Sequence, residues 1–241
     1  MTTKPLNEEE LAALRKFDTP TICNILELVA PARRGIGYTT KYLHCVFPSL
    51  PPIVGYARTA TVRAKEPSNV KGEAYRNLRF SYFDYVGNGP GPRVSVIQDL
   101  DDGQPGYGSF WGEVNSNVHK ALGCLGVVTN GSVRDLDMIA ENFQLIAGVI
   151  APSHAFIHLV NFDCEVNVHG MVVNSGDLIH ADRHGAVVIP HEVARDIPKA
   201  SEKLIAREAV IIEAAKKKGV TVEELKRAYV EADKIARFPP S

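Results

Sequence analysis

Residues 93–151 read RVSVIQDLDDGQPGYGSFWGEVNSNVHKALGCLGVVTNGSVRDLDMIAENFQLIAGVIA, and this stretch decides the fold. Arg93 to Asp99 predicts a strand. A Gly-rich loop follows from Asp101 to Gly112, and Glu113 to Leu122 predicts a helix. Gly126 to Asn130 predicts a second strand, Arg134 to Phe143 a second helix, and Leu145 to Ala151 a third strand. A β-α-β-α-β run with short connections implies parallel neighbouring strands joined by right-handed crossovers.

Upstream, Asn7 before Glu8-Glu9-Glu10 predicts a capped helix running to Arg15. Asp18-Thr19-Pro20 predicts another helix, with Pro20 at its first position and Ile22, Ile25, Leu26 and Val29 on its apolar face. Residues 31–52 read as a long connection, Val54 to Ala64 as a strand and 71–86 as a helix. The aromatics of that helix, Tyr75, Phe80, Tyr82, Phe83 and Tyr85, read as core, since no basic groove accompanies them. Downstream, Phe162–His169, Met171–Val173, Leu178–Ala181 and Ala186–Ile189 are short strand-like segments separated by turns. They predict an antiparallel or barrel-like β portion. Beyond His191 the chain reads as charged, amphipathic helices over Glu202–Lys218 and Val222–Ala236, separated by Gly219. The expected organisation is one domain over 1–197, with 198–241 as its C-terminal helical extension.

Composition narrows the function. The 241 residues are 45% apolar and 23% charged, which fits a globular chain and not a disordered one. The net charge is -1 and no basic stripe occurs, so no nucleic-acid partner is expected. Cysteines 23, 45, 124 and 164 form no Cys-x-x-Cys pair, which removes zinc ribbons and thioredoxin motifs. The longest apolar runs, such as Leu145 to Pro152, fall far short of the roughly 18 residues of a membrane helix, so no membrane partner is expected. The first twenty residues hold no apolar signal segment, and a cytoplasmic location is expected.

Two motifs carry chemistry. Gly112-Glu113-Val114-Asn115 ends the Gly-rich loop and opens a helix; Gly131-Ser132-Val133-Arg134-Asp135 ends the next strand. Adjacent strands lie about 4.8 Å apart, and ligands bind beyond the carboxyl ends of parallel strands, so both loops face one crevice. The free N–H groups after Gly112 suit a carboxylate. Arg134 offers a planar fork for a carboxylate or keto oxygens. Asp135 offers a hard oxygen to a divalent ion, and Glu113 is placed to hold water beside it. An anion site, an arginine and a magnesium-type ion suit a small 2-oxo acid. The same Arg-Asp pair also serves as a plain cap with a surface charge. Of the remaining groups, His154 and His158 lie on a strand-like segment and do not predict a zinc pair. His180, Asp182 and His184 surround a turn that could approach a neighbouring subunit's pocket. Asp99, Asp101 and Asp102 fit either a metal's outer shell or turn chemistry.

Glu113, twenty intervening residues and then Arg134-Asp135 resemble the acid-x20-Arg-Asp signature of the class II 4-hydroxy-4-methyl-2-oxoglutarate aldolases, which share a superfamily with the regulator of ribonuclease E activity A. The resemblance spans about residues 18–195 and is clearest at Gly112-Glu113, at 126–135 and at 176–190. It implies a swivelling-type α/β/β/α sandwich and a trimer or dimer of trimers, with a pocket near a subunit interface. It also implies that the amides of residues 112–115 bind pyruvate's carboxylate, Arg134 holds substrate and Asp135 binds Mg2+, or another divalent metal such as Mn2+. The expected function is a metal-dependent lyase that forms a pyruvate enolate by retro-aldol cleavage or by oxaloacetate decarboxylation. Glu113 is the candidate for orienting the water that acts as base. A Schiff-base aldolase is disfavoured, because no lysine lies in an apolar strand. Two rivals stand beside this reading, a non-catalytic regulator of a ribonuclease and a related lyase or hydrolase on a sugar acid. The chain departs from the aldolases at Val114 and Asn115, where they carry apolar residues, often leucines. It also departs at Asn24, where they carry an aspartate, and in its longer C-terminal helices. The apolar stripe of Leu204, Ile205, Val210, Ile211 and Ile212, with Val222, Leu225, Tyr229 and Val230, predicts a homo-oligomer packed partly through these helices.

Overall fold

The computed structural model describes residues 4–101 and 103–236. The chain forms two compact units: one holds the segment up to Thr19 together with Ile36–His191, and the other holds Pro20–Gly35 and the chain from Glu192 onward.

The first helix, α1 (Glu8–Leu14), starts on a capping box. The Glu10 amide donates to Asn7 Oδ1 at 2.9 Å, and the Asn7 amide donates to the Glu10 carboxylate at 2.7 Å. The second, α2 (Thr19–Val29), begins one residue earlier than expected, which puts Pro20 at its second position. The predicted connection 31–52 contains a two-residue strand, β1 (His44–Cys45). There follow β2 (Ile53–Arg63), α3 (Gly72–Gly87), β3 (Arg93–Asp99), β4 (Ser109–Trp111), α4 (Glu113–Ala121), β5 (Cys124–Val133) and β6 (Gln144–Ile150). The β portion continues with β7 (His158–Phe162), β8 (Val166–Val168), β9 (Met171–Val173), β10 (Leu178–Asp182) and β11 (Gly185–Ile189).

One mixed sheet organises the first unit, in the order β1-β6-β5-β3-β2-β10-β11, and it is nearly closed and barrel-like. Its centre, β2-β3-β5-β6, is parallel, with α3 and α4 as crossovers. The short segments after β6 join this sheet as antiparallel edges. β10 pairs the first half of β2 and β7 the second half, with a register shift at Thr61/Val62. β8 and β9 form a separate ribbon. The central strands are buried on both faces, as parallel strands are. Consecutive residues therefore serve different cores: Val128 packs with Val94, Val96 and Ile146, whereas Val127 packs with Ile97, Leu145 and Trp111.

Three expectations are corrected. The helix predicted over 134–143 does not form; only a single 3-10 turn, Leu136–Met138, occurs there. Asp135 and Asn142 adopt left-handed backbone at φ 55° and 58°, and the residues between them are too few to nucleate an α-helix. β5 runs three residues past Asn130, because β4, inside the predicted Gly-rich loop, gives those residues a partner. The single strand predicted over 162–169 is the end of β7 plus β8, broken where Asp163 turns left-handed at φ 54°.

In the second unit, α5 (Ile197–Ala215) and α6 (Val222–Ile235) pack on each other and bury Ile197, Leu204, Ala228 and Ala232. Pro198 moves the start of α5 ahead of the predicted Glu202, since its fixed φ suits a first turn. Thr221 and Glu224 cap α6 reciprocally. Ile205, Ile212, Tyr229 and Val230 remain exposed. No described helix is long and apolar enough to cross a membrane.

Candidate functional site

β4 brings the two motifs together. It lies along the end of β5, with Ser109 opposite Ser132 and Trp111 opposite Val133. The two serine hydroxyls are 2.8 Å apart, and the Arg134 amide donates to the Trp111 carbonyl at 2.9 Å. Gly112 therefore emerges from β4 beside Arg134-Asp135 emerging from β5. Gly112 is the N-cap of α4 and has extended backbone that any residue adopts, at φ -166°. Its value is space: a Cβ there would sit 2.5 Å from Asp135 Oδ2 and 3.3 Å from Arg134 Cγ.

Asp135 is left-handed, at φ 55° and ψ 40°, a conformation that aspartate tolerates better than most side chains. Its Oδ2 accepts from the Glu113 amide at 3.4 Å and lies 3.6 Å from Arg134 Nε. Both side chains are about one-third exposed, at 36% for Arg134 and 32% for Asp135. The segment is pinned to α4 by the Ala140 amide, which donates to Ser116 Oγ at 3.1 Å, and by the Lys120 ammonium, which donates to the Glu141 carbonyl.

Gly112 has no side chain to cap α4; Asp135 takes the Glu113 amide, while the amides of Val114 and Asn115 have no acceptor among the described residues. They stand at the positive end of the helix dipole. The Glu113 carboxylate is exposed and makes no hydrogen bond or ion pair among the described residues. The predicted set thus converges at Gly112, Glu113, Arg134, Asp135 and the two following amides. The side chains of Val114 and Asn115 do not join it. Val114 is exposed, and Asn115 Nδ2 donates to the Phe110 carbonyl; both line an adjacent cavity.

Other candidates have structural partners. Asp99 Oδ1 accepts from the Asp101 amide at 2.9 Å and Oδ2 from the Gly106 amide at 2.7 Å. Burial raises the Asp99 carboxyl above its ordinary value, against the pull of the Gly106 and Asp101 amides. Asp101 Oδ2 accepts from the amides of Ala64 and Lys65. These two carboxylates organise the loop, while Asp102 lies outside the described residues. His154 and His158 each turn Nδ1 to a nearby backbone carbonyl. Among the described residues no three His, Cys, Asp or Glu side chains gather around a metal position. His180 is fully buried, with Nε2 donating to the Phe17 carbonyl and Nδ1 accepting from the Thr19 hydroxyl. Asp182 accepts from the amides of Thr19 and His184.

Sequence reasoning missed His119. Its Nδ1–H donates to the Asn115 carbonyl at 2.7 Å, which leaves Nε2 to accept from the Tyr82 hydroxyl at 2.8 Å. Burial lowers its pKa to about 4 and keeps it neutral. The available signal was its position four residues after Asn115, on the same helix face.

DlpA of Legionella pneumophila is 27% identical over 166 residues, 68% of this chain but 26% of DlpA, so the chain spans about a quarter of that relative. An uncharacterized protein from Pseudomonas syringae pv. tomato superposes with a TM-score of 0.70 at 22% identity, over 95% of this chain and 98% of that one. RraAS2 of Streptomyces coelicolor, an unusual member of the RNase ES inhibitor RraA protein family, superposes with a TM-score of 0.64 at 20% identity, over 86% and 97% of the two chains. At such identities these two structures speak to the fold alone. The Aldolase/RraA family model matches residues 19–188, the greater part of the chain and all of the site just described, and the chain therefore belongs to the RraA-like family.

Proposed function

We propose that the chain is a divalent-metal-dependent lyase acting on a small 2-oxo acid. It would cleave a 4-hydroxy-4-methyl-2-oxoglutarate-type acid, decarboxylate oxaloacetate, or do both. The RraA-like family includes metal-dependent aldolases as well as ribonuclease regulators. The observation that carries the enzymatic reading is the space at Gly112, which lets the Asp135 carboxylate lie against the start of α4 beside Arg134, with the amides of Val114 and Asn115 left open. A regulator that acts only through surface contact has no need of this arrangement.

The residues fit a hard cation. Asp135 supplies one carboxylate, Glu113 stands exposed next to it, and no thiolate or imidazole cage surrounds them among the described residues. Magnesium and manganese sites of this kind use one or two carboxylates, with water and substrate oxygens completing the shell. When bound, the ion supplies Lewis-acid polarisation of the substrate's C2 carbonyl.

The chain's own groups do the rest. The free amides of Val114 and Asn115 receive the C1 carboxylate. Arg134 directs its fork at the substrate oxygens and favours the form in which they gain charge. Glu113, through a water, takes the proton of the C4 hydroxyl in the aldol case. The C3–C4 electron pair then passes into the enolate of pyruvate, C4 leaves as a carbonyl compound, and C3 takes up a proton from water. Loss of CO2 from oxaloacetate gives the same enolate. A homo-oligomer accompanies this reading, since the exposed apolar residues of α5 and α6 would be covered in it.

The test is pyruvate release from oxaloacetate and from 4-hydroxy-4-methyl-2-oxoglutarate with magnesium, with chelator, and with magnesium alone as the non-enzymic control. Asp135→Asn keeps the left-handed backbone and removes the charge. Chelator and this variant should each bring the rate to the control. Release of pyruvate no faster than by magnesium alone from both oxaloacetate and 4-hydroxy-4-methyl-2-oxoglutarate, or full activity in Asp135→Asn, would overturn the proposal.

A further inference from the structure

A cavity of about 280 Å³ lies beside the first turn of α4. Tyr75, Arg79 and Phe83 of α3, Phe110 of β4, Val114 of α4 and Leu159 of β7 line it. The Arg79 guanidinium lies 5.7 Å from the centroid of the Phe83 ring, and no carboxylate pairs with it among the described residues. The Tyr75 hydroxyl accepts from the Leu159 amide at 3.2 Å, so its own proton is left to donate. One wall is fixed by the relay from the Tyr82 hydroxyl to His119, from His119 to the Asn115 carbonyl, and from Asn115 Nδ2 to the Phe110 carbonyl. This relay ties α3, α4 and β4 together and holds that wall in place.

The volume sits just under the roughly 300–1,000 Å³ of small-molecule sites, so the cavity suits part of a ligand. Val114 connects it to the anion site, with its amide at the helix start and its side chain in the cavity wall.

We propose that this cavity receives the C4 substituent of the substrate, and that the substituent is a flat aromatic group ending in an anion. The proposal rests on the 2-oxo acid reading above. Ring burial against Phe83 and Phe110 favours a flat group over a methyl, and Arg79 pairs with the terminal anion. In the reaction the C4 hydroxyl loses its proton and C4 becomes the carbonyl of an aromatic aldehyde. The C3–C4 pair enters the pyruvate enolate, which is protonated at C3.

The probes are 4-hydroxy-4-(4-carboxyphenyl)-2-oxobutanoate, its C4-methyl analogue 4-hydroxy-2-oxopentanoate, and the aldehyde product 4-carboxybenzaldehyde. The carboxyphenyl acid should exceed the methyl acid in kcat/KM, and Arg79→Met should lower that ratio roughly tenfold, the loss of one charge-assisted contact. Calorimetry should show 4-carboxybenzaldehyde binding to the wild type and about tenfold more weakly to Arg79→Met. No binding of the aldehyde, or an unchanged ratio, overturns the proposal. Arg79-dependent binding of the aldehyde without turnover of either acid or of oxaloacetate would support the cavity as an aryl-carboxylate site and sink the lyase reading alone.

Discussion

Replacing Gly112 with alanine adds one methyl group and changes no charge. The backbone tolerates it, since φ at Gly112 is -166°. The obstacle is Asp135 Oδ2, 2.5 Å from the new Cβ, where ordinary contact begins at 3.4 Å. The carboxylate must retreat by between about half an ångström and one ångström, and its exposed side allows that. The fold loses one long hydrogen bond from the Glu113 amide, about 1 kcal/mol at most. For a chain of this size that lowers Tm by about 2–4 °C. Turnover should fall much further, because a misplacement near 1 Å in a positioned group costs on the order of 10²-fold. Coupled detection of pyruvate from oxaloacetate across a magnesium titration, beside a melting curve, reads both quantities. Near-normal kcat/KM with an unchanged metal requirement would refute the placement of the metal at Asp135. A collapse of Tm would show instead that Gly112 serves the fold.

Arg134→Lys keeps the charge and loses the fork, so kcat/KM on oxaloacetate should fall about 10²-fold; near-normal kinetics would remove Arg134 from the substrate site. Acid should weaken the fold through His119 and His180, whose folded pKa values are held near 4 by burial. Between pH 4 and the unfolded value near 6.5 the unfolded chain binds more protons, so stability is full above that window and falls through it as pH drops, by on the order of 3 kcal/mol per histidine over the whole range. The urea midpoint should therefore drop from pH 7 to pH 5, and less so in His119→Gln; equal midpoints would contradict the buried neutral state. Removing residues 198–241 should lower the assembly's stability or solubility more than its metal-dependent turnover, while sedimentation of the intact chain as a 26.3 kDa monomer at micromolar concentration would exclude the oligomer.

The strands β3, β9 and β11 and the convergence of Gly112 with Arg134-Asp135 were legible because alternation, turn residues and parallel-strand logic are local signals. The false helix over 134–143 shows where such signals fail. Leu136, Ile139, Ala140 and Phe143 recur at helical spacing, but the Ala140 amide is taken by Ser116 on α4 and two residues stand in the left-handed region. Tertiary partners override a periodic pattern of that length. β1 was invisible because two residues carry no period; it exists through pairing with Ala147 and Ile146. At the site, residue types pointed to the chemistry, but the room at Gly112 and the left-handed turn at Asp135 are properties of backbone paths far apart in sequence. His119 looked like an ordinary polar position on a helix. Only the approach of α3 gave it a hydroxyl partner.

The split pairing of β2 also has a consequence for the order of assembly. One edge of this strand meets β3, made soon after it, but its other edge is shared between β10 and β7. As the chain leaves the ribosome, β2, β3, β5 and β6 can form their parallel core while that second edge still presents a row of unpaired amides and carbonyls. It is covered only after residues 158–182 have been synthesised. Until then the nascent chain carries an open template for foreign strands, so a pause in translation before β7 is the point at which this protein would be most prone to aggregate or to need a chaperone.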